Sequence, residues 1–350
     1  MSRKLMYLMP AIALLLLACE GNSEHVFSGN TMGTSYTVKI IEDNITDDML
    51  AEQIDDELQR INSLMSTYDQ SSELSMFNQA PEHIEFPVSA DVIKVLEMSG
   101  MIHDQSDGAF DVSVGPLVNL WGFGPRSFDD VSSEKYREMV PADDEINEAM
   151  SRTGFHFLKV TDSSLIKSRN IYVDLSAIAK GYAVDQLAII LDRAGHENYL
   201  IEVGGEIRGR GINVRHEPWA VAIEKPDNLS RSIFKIIELR DMSMATSGDY
   251  RNYFEADGVR YSHTIDPRTG RPITHNVVSV TVVTESAALA DAYATAIDVM
   301  GADEGLALAE AQKLAVLVIM KTSAGFEERS SSQLRKYLEL DGPEPKTGVD

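Results

Sequence analysis

Two oxygen-bearing residues one helical turn apart, Asp291 and Thr295, have a spacing that could do chemistry. Positions four apart on a helix share one face. The surrounding alanines (Ala287, Ala288, Ala290, Ala292, Ala294 and Ala296) would let other backbone come close. A hard cation such as Mg2+ takes oxygen ligands in octahedral geometry and keeps water or phosphate in part of its shell. One carboxylate, one hydroxyl and a backbone carbonyl from elsewhere would suffice if a substrate supplied the rest. Taken alone, such a pair is more commonly a polar pair on an exposed face. A second group lies between Val173 and Asp185, where a strand is expected to enter a helix through Asp174-Leu175-Ser176-Ala177, with Lys180 one turn in. The free N–H groups and positive dipole end of a helix suit a phosphate, and Lys180 would add charge there. The alternative makes Asp174 a simple cap and Lys180 a solvated side chain.

The third group is the polar stretch from Thr246 to Ile273. It opens on a Thr-Ser-Gly turn and carries His263, with Asp266 three residues on. An imidazole near a carboxylate can serve as a general base. Ser247 could be a nucleophile, but the GxSxG setting of a nucleophile elbow is missing. Gly204-Gly205, after a strand, could admit a ligand close to backbone, although such a pair more often marks a turn or bulge. Trp121 and Phe123 among glycines read as a core plug or as one wall of a planar-ligand pocket, with the core reading weighing more.

The elements that must position these groups are legible in outline. Alternation predicts a strand over residues 35–40. Leu50, Ile54, Leu58, Ile61 and Met65 predict a helix from Thr46. A short helical or turn segment follows at residues 71–74, and a third helix starts near Ser89. Residues 126–140 read as a charged surface insertion, and Pro141 begins a short amphipathic helix. Residues 157–160 and 165–167 form a hairpin pattern, and 171–175 read as a strand. The helix after it stops at Gly195. Further strands are expected at 199–203, 219–223, 233–239, 277–284 and 314–320. An Ala-rich helix over 285–300 stops at Gly301, and a separate helix covers 302–312. Hairpins mixed with helices, rather than repeating βαβ units, predict an α+β fold. It has mixed, largely antiparallel sheets packed with helices in a single catalytic domain. No GxGxxG follows a strand, which disfavours a doubly wound nucleotide fold.

Composition narrows the partners. The 350 residues are 43% hydrophobic and 25% charged, ordinary for a globular protein. The net charge of −24, from 31 basic and 55 acidic residues, argues against nucleic acid. Arg3 and Lys4 precede an apolar run from Leu5 to Ala18, the pattern of a secretory signal too short for a comfortable membrane span. It ends Leu16-Leu17-Ala18-Cys19, which resembles a bacterial lipobox, with the chain's only cysteine as the lipidated residue. The expected organisation is a signal over 1–18, a polar tether over 19–27, the enzyme domain over 28–340 and a mobile tail over 341–350. A lipid anchor would hold the protein on a bacterial cell membrane facing the periplasm. Glu20 after the cysteine leans toward the outer membrane.

Taken together, the segments resemble the FAD:protein FMN transferases, the ApbE-type flavin transferase family. The matching pieces, in order, are Met32-Gly33-Thr34, Ser66-Thr67-Tyr68, Asp107-Gly108-Ala109-Phe110-Asp111, Leu120-Trp121-Gly122-Phe123-Gly124 and Val173-Asp174-Leu175 with Ala177-Ile178-Ala179-Lys180-Gly181-Tyr182. They continue through Gly204-Gly205, Thr246-Ser247-Gly248-Asp249-Tyr250, His263-Thr264-Ile265-Asp266-Pro267-Arg268-Thr269-Gly270, and Ala290-Asp291 with Ala294-Thr295. No single piece is strong, but the ordered set is highly specific and favours a metal reading for Asp291 and Thr295. The resemblance implies Mg2+-dependent cleavage of the FAD pyrophosphate, attachment of FMN through a phosphoester to a Thr or Ser of an acceptor protein, and release of AMP. It implies FAD contacts from Met32, Tyr68, Ala109, Phe110, Asp111, Asp174, Lys180 and Ile265. Mg2+ would be held by the Ala177 carbonyl, Asp291 and Thr295, and His263 is the candidate base. Some relatives carry a further carboxylate just before the threonine, where this chain has Ala294. Acceptors in the family include subunits of Rnf-type and sodium-pumping NADH:quinone oxidoreductases. An FAD pyrophosphatase giving FMN and AMP, and a non-catalytic flavin-binding lipoprotein, are the alternatives.

Overall fold

A computed structural model describes residues 23–43, 47–124, 140–226, 232–248, 253–256 and 259–334. Cys19, the signal, most of the expected insertion at 126–140 and the tail from 341 lie outside the described residues. The chain opens with a hairpin of β1 (Glu24–Thr31) and β2 (Thr34–Ile41). Then come α1 (Asp47–Met65), α2 (Glu73–Gln79), β3 (Phe86–Pro87), α3 (Ala90–Gln105), α4 (Gly115–Leu120) and α5 (Asp143–Met150). A small hairpin of β4 (Leu158–Val160) and β5 (Ser164–Lys167) leads to α6 (Ala179–Ala194). Strands β6 (Tyr199–Val203), β7 (Glu206–Arg210), β8 (Trp219–Glu224), β9 (Ile233–Leu239) and β10 (Met242–Ser247) follow. After them come β11 (Tyr253–Ala256), β12 (Val259–Ser262), β13 (Ile265–Asp266), β14 (Arg271–Pro272) and β15 (Val277–Thr284). Helix α7 (Ala287–Gln312), β16 (Ala315–Thr322) and β17 (Gly325–Ser330) complete the described fold.

Eight strands form one sheet in the order β1-β2-β6-β7-β10-β15-β16-β17. Every neighbouring pair in it is antiparallel, which fits the expected class. The apolar runs of β15 and β16 have a physical cause: both faces of the sheet are covered there. Val280 and Val282 join the main core with Ile54, Leu96, Leu187 and Ile297 from the helices. Val278, Val283, Leu317 and Ile319 face the other way, into a second core under the β8–β9 hairpin with Trp219 and Leu239. A third cluster, around Trp121, Ile146 and Phe254, packs beside the segment that carries Ile265.

Several sequence expectations change. The polar tether expected over 19–27 is partly strand: β1 begins at Glu24, and Phe27 is buried against the core. Residues 171–175 form no strand. Tyr172 makes a single parallel bridge to Val114, and the Asn78 side chain satisfies Val173 instead. That amide accepts from the Val173 N–H at 2.8 Å and donates to the Val173 carbonyl at 2.8 Å. The two helices expected on either side of Gly301 are there, and they meet within α7 at a kink where Gly301 is non-helical, at φ 78° and ψ −179°. Thr246 and Ser247 end strand β10 rather than starting a turn.

Candidate active site

A cleft of about 410 Å3 opens beside the start of α6 and the first half of α7. Tyr68, Ala109, Phe110, Asp111, Asp174, Ala177, Lys180, His263, Ile265, Asp291 and Thr295 all line it. Eleven of the residues singled out from sequence thus meet in one place, although they span more than two hundred positions. Met32 is not among the lining residues. It sits at φ 49° in the β1–β2 turn and packs half-buried on the core. Thr34, the first residue of β2, lies against the cleft residue Gly204: its methyl is 2.8 Å from where a Cβ on Gly204 would stand.

The position of Asp291 follows from how closely α6 and α7 approach. A Cβ on Gly181 would lie 2.2 Å from the Ala287 carbonyl oxygen and 2.7 Å from the Ala288 Cα, so glycine alone fits this crossing. The same approach lets the Gly181 N–H donate to Asp291 Oδ2 at 3.2 Å. In a regular helix that N–H would bond the Ala177 carbonyl. Among the described residues the Ala177 carbonyl receives no backbone hydrogen bond, and Ala177 is one of the residues lining the cleft. Asp291 is 3% exposed, so the reading of an exposed polar pair is wrong for this chain. Thr295 Oγ1 lies 3.2 Å from Ser247 Oγ, at the end of β10.

Lys180 is not solvated either. Its ammonium lies 3.2 Å from Glu206 Oε1 and 3.5 Å from Asp291 Oδ2, and it donates to the Ser176 carbonyl at 3.4 Å. Burial alone would lower its pKa, but the carboxylates of Asp291 and Glu206 outweigh that and raise it. Lys180 therefore stays a cation. Burial raises Asp291, and Lys180 opposes the rise. Burial pushes Glu206 up to about 8; Lys180 pulls against this and Asp291 adds to it. Glu206 was missed in the sequence, although it directly follows Gly204-Gly205. Its Oε2 is buried and has no hydrogen-bond partner. Asp174 caps the turn ahead of α6, accepting from the Ser176 N–H at 2.9 Å, while α6 itself has Ile178 at its N-cap and no side-chain cap. Asp111 lines the cleft, yet its carboxylate is engaged: it accepts from the Ser113 N–H at 2.8 Å and the Phe155 N–H at 2.9 Å.

Another wall comes from Phe123 and from His263, Thr264, Ile265 and Pro267, the segment after β12. Phe123, Phe254, Tyr261 and Trp121 stack in a ladder with centroid spacings of 5.6, 5.0 and 5.6 Å. In the Trp-Gly-Phe run, Trp121 takes the core reading and Phe123 lines the cleft. Trp121 is a core plug whose Nε1 donates to the Gly270 carbonyl at 2.8 Å, and Phe123 faces the cleft. The His263 ring stands edge-on to Phe123 at 6.3 Å. Asp266 turns to Arg268, which donates to it from Nε and Nη2 at 3.0 Å each.

The donor set suits a hard cation that shares its shell with a substrate. Asp291, Thr295 and the Ala177 carbonyl offer oxygen only, and Ala294 adds none. Among the described residues no group of three or more His, Cys, Asp or Glu is placed to hold a metal. Among the described residues, no helix is long and apolar enough to cross a membrane.

Comparison with known proteins gives the same answer as the geometry. The model of the ApbE family matches residues 32–318. An FAD:protein FMN transferase of Vibrio cholerae is 48% identical over 332 residues, covering 94% of this chain and 97% of the relative. One from Haemophilus influenzae is 42% identical over 342 residues, covering 94% and 96%. The solved flavin transferase ApbE of Vibrio cholerae superposes with a TM-score of 0.83 at 46% identity, over 90% of this chain and 99% of that one. The apo flavinyl transferase ApbE of Pseudomonas stutzeri gives 0.81 at 36% identity, over 90% and 97%. Matched over most of its length by the family model and nearly end to end by these relatives, the chain belongs to the ApbE family.

Proposed function

We propose that this protein transfers FMN from FAD to a Thr or Ser hydroxyl of an acceptor protein, forming a phosphoester and releasing AMP. One observation carries the reading. A partly buried lysine, an oxygen-only donor set and a histidine line a single cleft that an aromatic ladder borders. Pyrophosphate cleavage at phosphorus needs charge neutralised on its oxygens. A Mg2+ ion held by Asp291, Thr295 and the Ala177 carbonyl would withdraw charge from those oxygens and orient the pyrophosphate. Lys180, kept cationic by its two carboxylates, adds positive charge at the same place. The acceptor oxygen attacks the FMN phosphorus, the bond from that phosphorus to the bridging oxygen breaks, and AMP leaves with the bridging oxygen. The proton of the acceptor hydroxyl passes to the His263 imidazole.

The setting proposed for this reaction is the periplasmic face of a bacterial membrane, with a lipid on Cys19 as the anchor. Its proposed acceptors are subunits of Rnf-type or sodium-pumping NADH:quinone oxidoreductases. Incubating the protein with FAD, Mg2+ and such a subunit tests the reading. Flavin fluorescence that stays with the acceptor in a denaturing gel supports it. Free FMN with an unlabelled acceptor would mean a pyrophosphatase, and bound, unchanged FAD would mean a carrier; either result overturns it.

A further inference from the structure

We propose that Asp298 is a positioning residue that ties the segment bearing His263 to the helix bearing Asp291 and Thr295. The proposal rests on the transferase reading above. Asp298 lies three residues after Thr295 and seven after Asp291, so the three share one side of α7. It is a carboxylate with 0% exposure. A group that costly to bury is retained where its hydrogen bonds fix something. Its Oδ2 accepts from Thr264 Oγ1 at 3.2 Å, directly beside His263. Its main-chain carbonyl accepts from His275 Nε2 at 2.7 Å. A carbonyl only accepts, so this bond places the proton of His275 on Nε2.

The two contacts bracket a compact unit. Between Thr264 and His275, β13 pairs with β14, and the Ile273 N–H returns to the Thr264 carbonyl at 3.0 Å. The turn from Asp266 is closed by the Gly270 N–H on the Asp266 carbonyl at 2.8 Å. The unit is rigid in itself, and both its ends are pinned to one residue of α7. The kink at Gly301 makes this possible. A Cβ there would stand 3.1 Å from His275 Cδ2, and the break in the helix lies three residues past the carbonyl that His275 takes. Losing the Asp298 carboxylate would release the Thr264 end while the main-chain carbonyl still holds His275, letting His263 and Ile265 shift relative to Asp291. A misplacement of about 1 Å in a reacting group is enough to cost roughly 100-fold in rate.

The test uses the full protein and four variants: Asp298→Ala, Thr264→Val, the double variant and Asp298→Asn. Measured are kcat, the KM for FAD, and thermal melting. Each single variant is expected to lower kcat about 10- to 100-fold while the KM for FAD stays within about threefold. The double variant is expected to be no worse than the poorer single one, because both remove the same bond. Asn keeps an oxygen acceptor, so Asp298→Asn is expected to recover most of the kcat lost with alanine. Wild-type kcat in both single variants, or losses that multiply in the double, would overturn the proposal. If Asp298→Ala fails to fold, Thr264→Val decides alone: an unchanged kcat refutes the role. Absence of FMN transfer in the wild-type protein is a different result, and would refute the transferase reading itself.

Discussion

Substituting Gly181 by alanine separates two physical effects of opposite sign. Gly181 lies inside α6, where alanine is the better helix former by about 1 kcal/mol. Propensity alone predicts a more stable protein. The contact with α7 predicts the reverse. The new Cβ would sit 2.2 Å from the Ala287 carbonyl oxygen, so one helix must retreat by about 1 Å to reach ordinary van der Waals separation. The two helices cannot separate cheaply, because Asp185 of α6 accepts from the N–H groups of Ala287 and Ala288 at the start of α7 at 2.8 and 3.1 Å. Any separation would strain those bonds, shift Lys180 relative to α7 and break the Gly181 N–H bond to Asp291. Overpacking of this kind costs about 1–3 kcal/mol, which outweighs the propensity gain. Displacing Lys180 by about 1 Å should lower kcat by roughly 100-fold. Thermal melting and FMN transfer kinetics on the purified variant read both effects. A Gly181→Ala protein that melts higher than wild type and transfers FMN at the wild-type rate would refute the account of how the two helices build the site.

Replacing His263 by alanine should lower kcat by about 100- to 10,000-fold, the usual contribution of a general base, and an unchanged rate across pH would remove it from that role. Glu206 gives a pH prediction. Its carboxyl has a folded pKa raised to about 8, so the folded state holds that proton more tightly than the unfolded chain does. The associated stability is complete at pH below about 4.5, declines as pH rises, and is gone above about 8. Glutamine mimics the protonated form. Without added FAD or cation, Glu206→Gln should therefore melt close to wild type near pH 5 and higher than wild type near pH 9; no difference at pH 9 would count against the strained cluster.

Local signals were the most legible part of the chain. Ser72 and Ser89 cap α2 and α3 through the N–H groups of Ser75 and Val92, three residues on in each case. Gly195 ends α6 at φ 91°, as its place after the last apolar residue suggested. Bonds between distant residues were not legible. Val173 looked like a strand because its apolar run is strand-like, but its partner is the side chain of Asn78, 95 positions away. Strand β1 was hidden by its polar composition, since only Phe27 of its eight residues is fully buried. Strand β10 was hidden because Thr246 and Ser247 precede a glycine and look like a turn. The burial of Asp291 depends on α6 crossing α7 at Gly181, a contact that helical periodicity cannot show. Glu206 escaped for a similar reason: its role comes from Lys180 and Asp291, which fold in from other elements. The ordered set of short motifs succeeded where single motifs did not, because the lining of one cleft is spread along the whole chain.

The central claim is that a cation-assisted centre at Asp291 moves FMN from FAD onto a protein hydroxyl. A product balance tests it most directly. AMP released and FMN covalently attached to the acceptor are counted in the same reaction, with wild-type protein, with Asp291→Ala and with excess EDTA. The account predicts equal amounts of AMP and attached FMN on a Thr or Ser of the acceptor, and the loss of both in the variant and with the chelator. AMP accompanied by free FMN and an unmodified acceptor, or full transfer in EDTA, would contradict it.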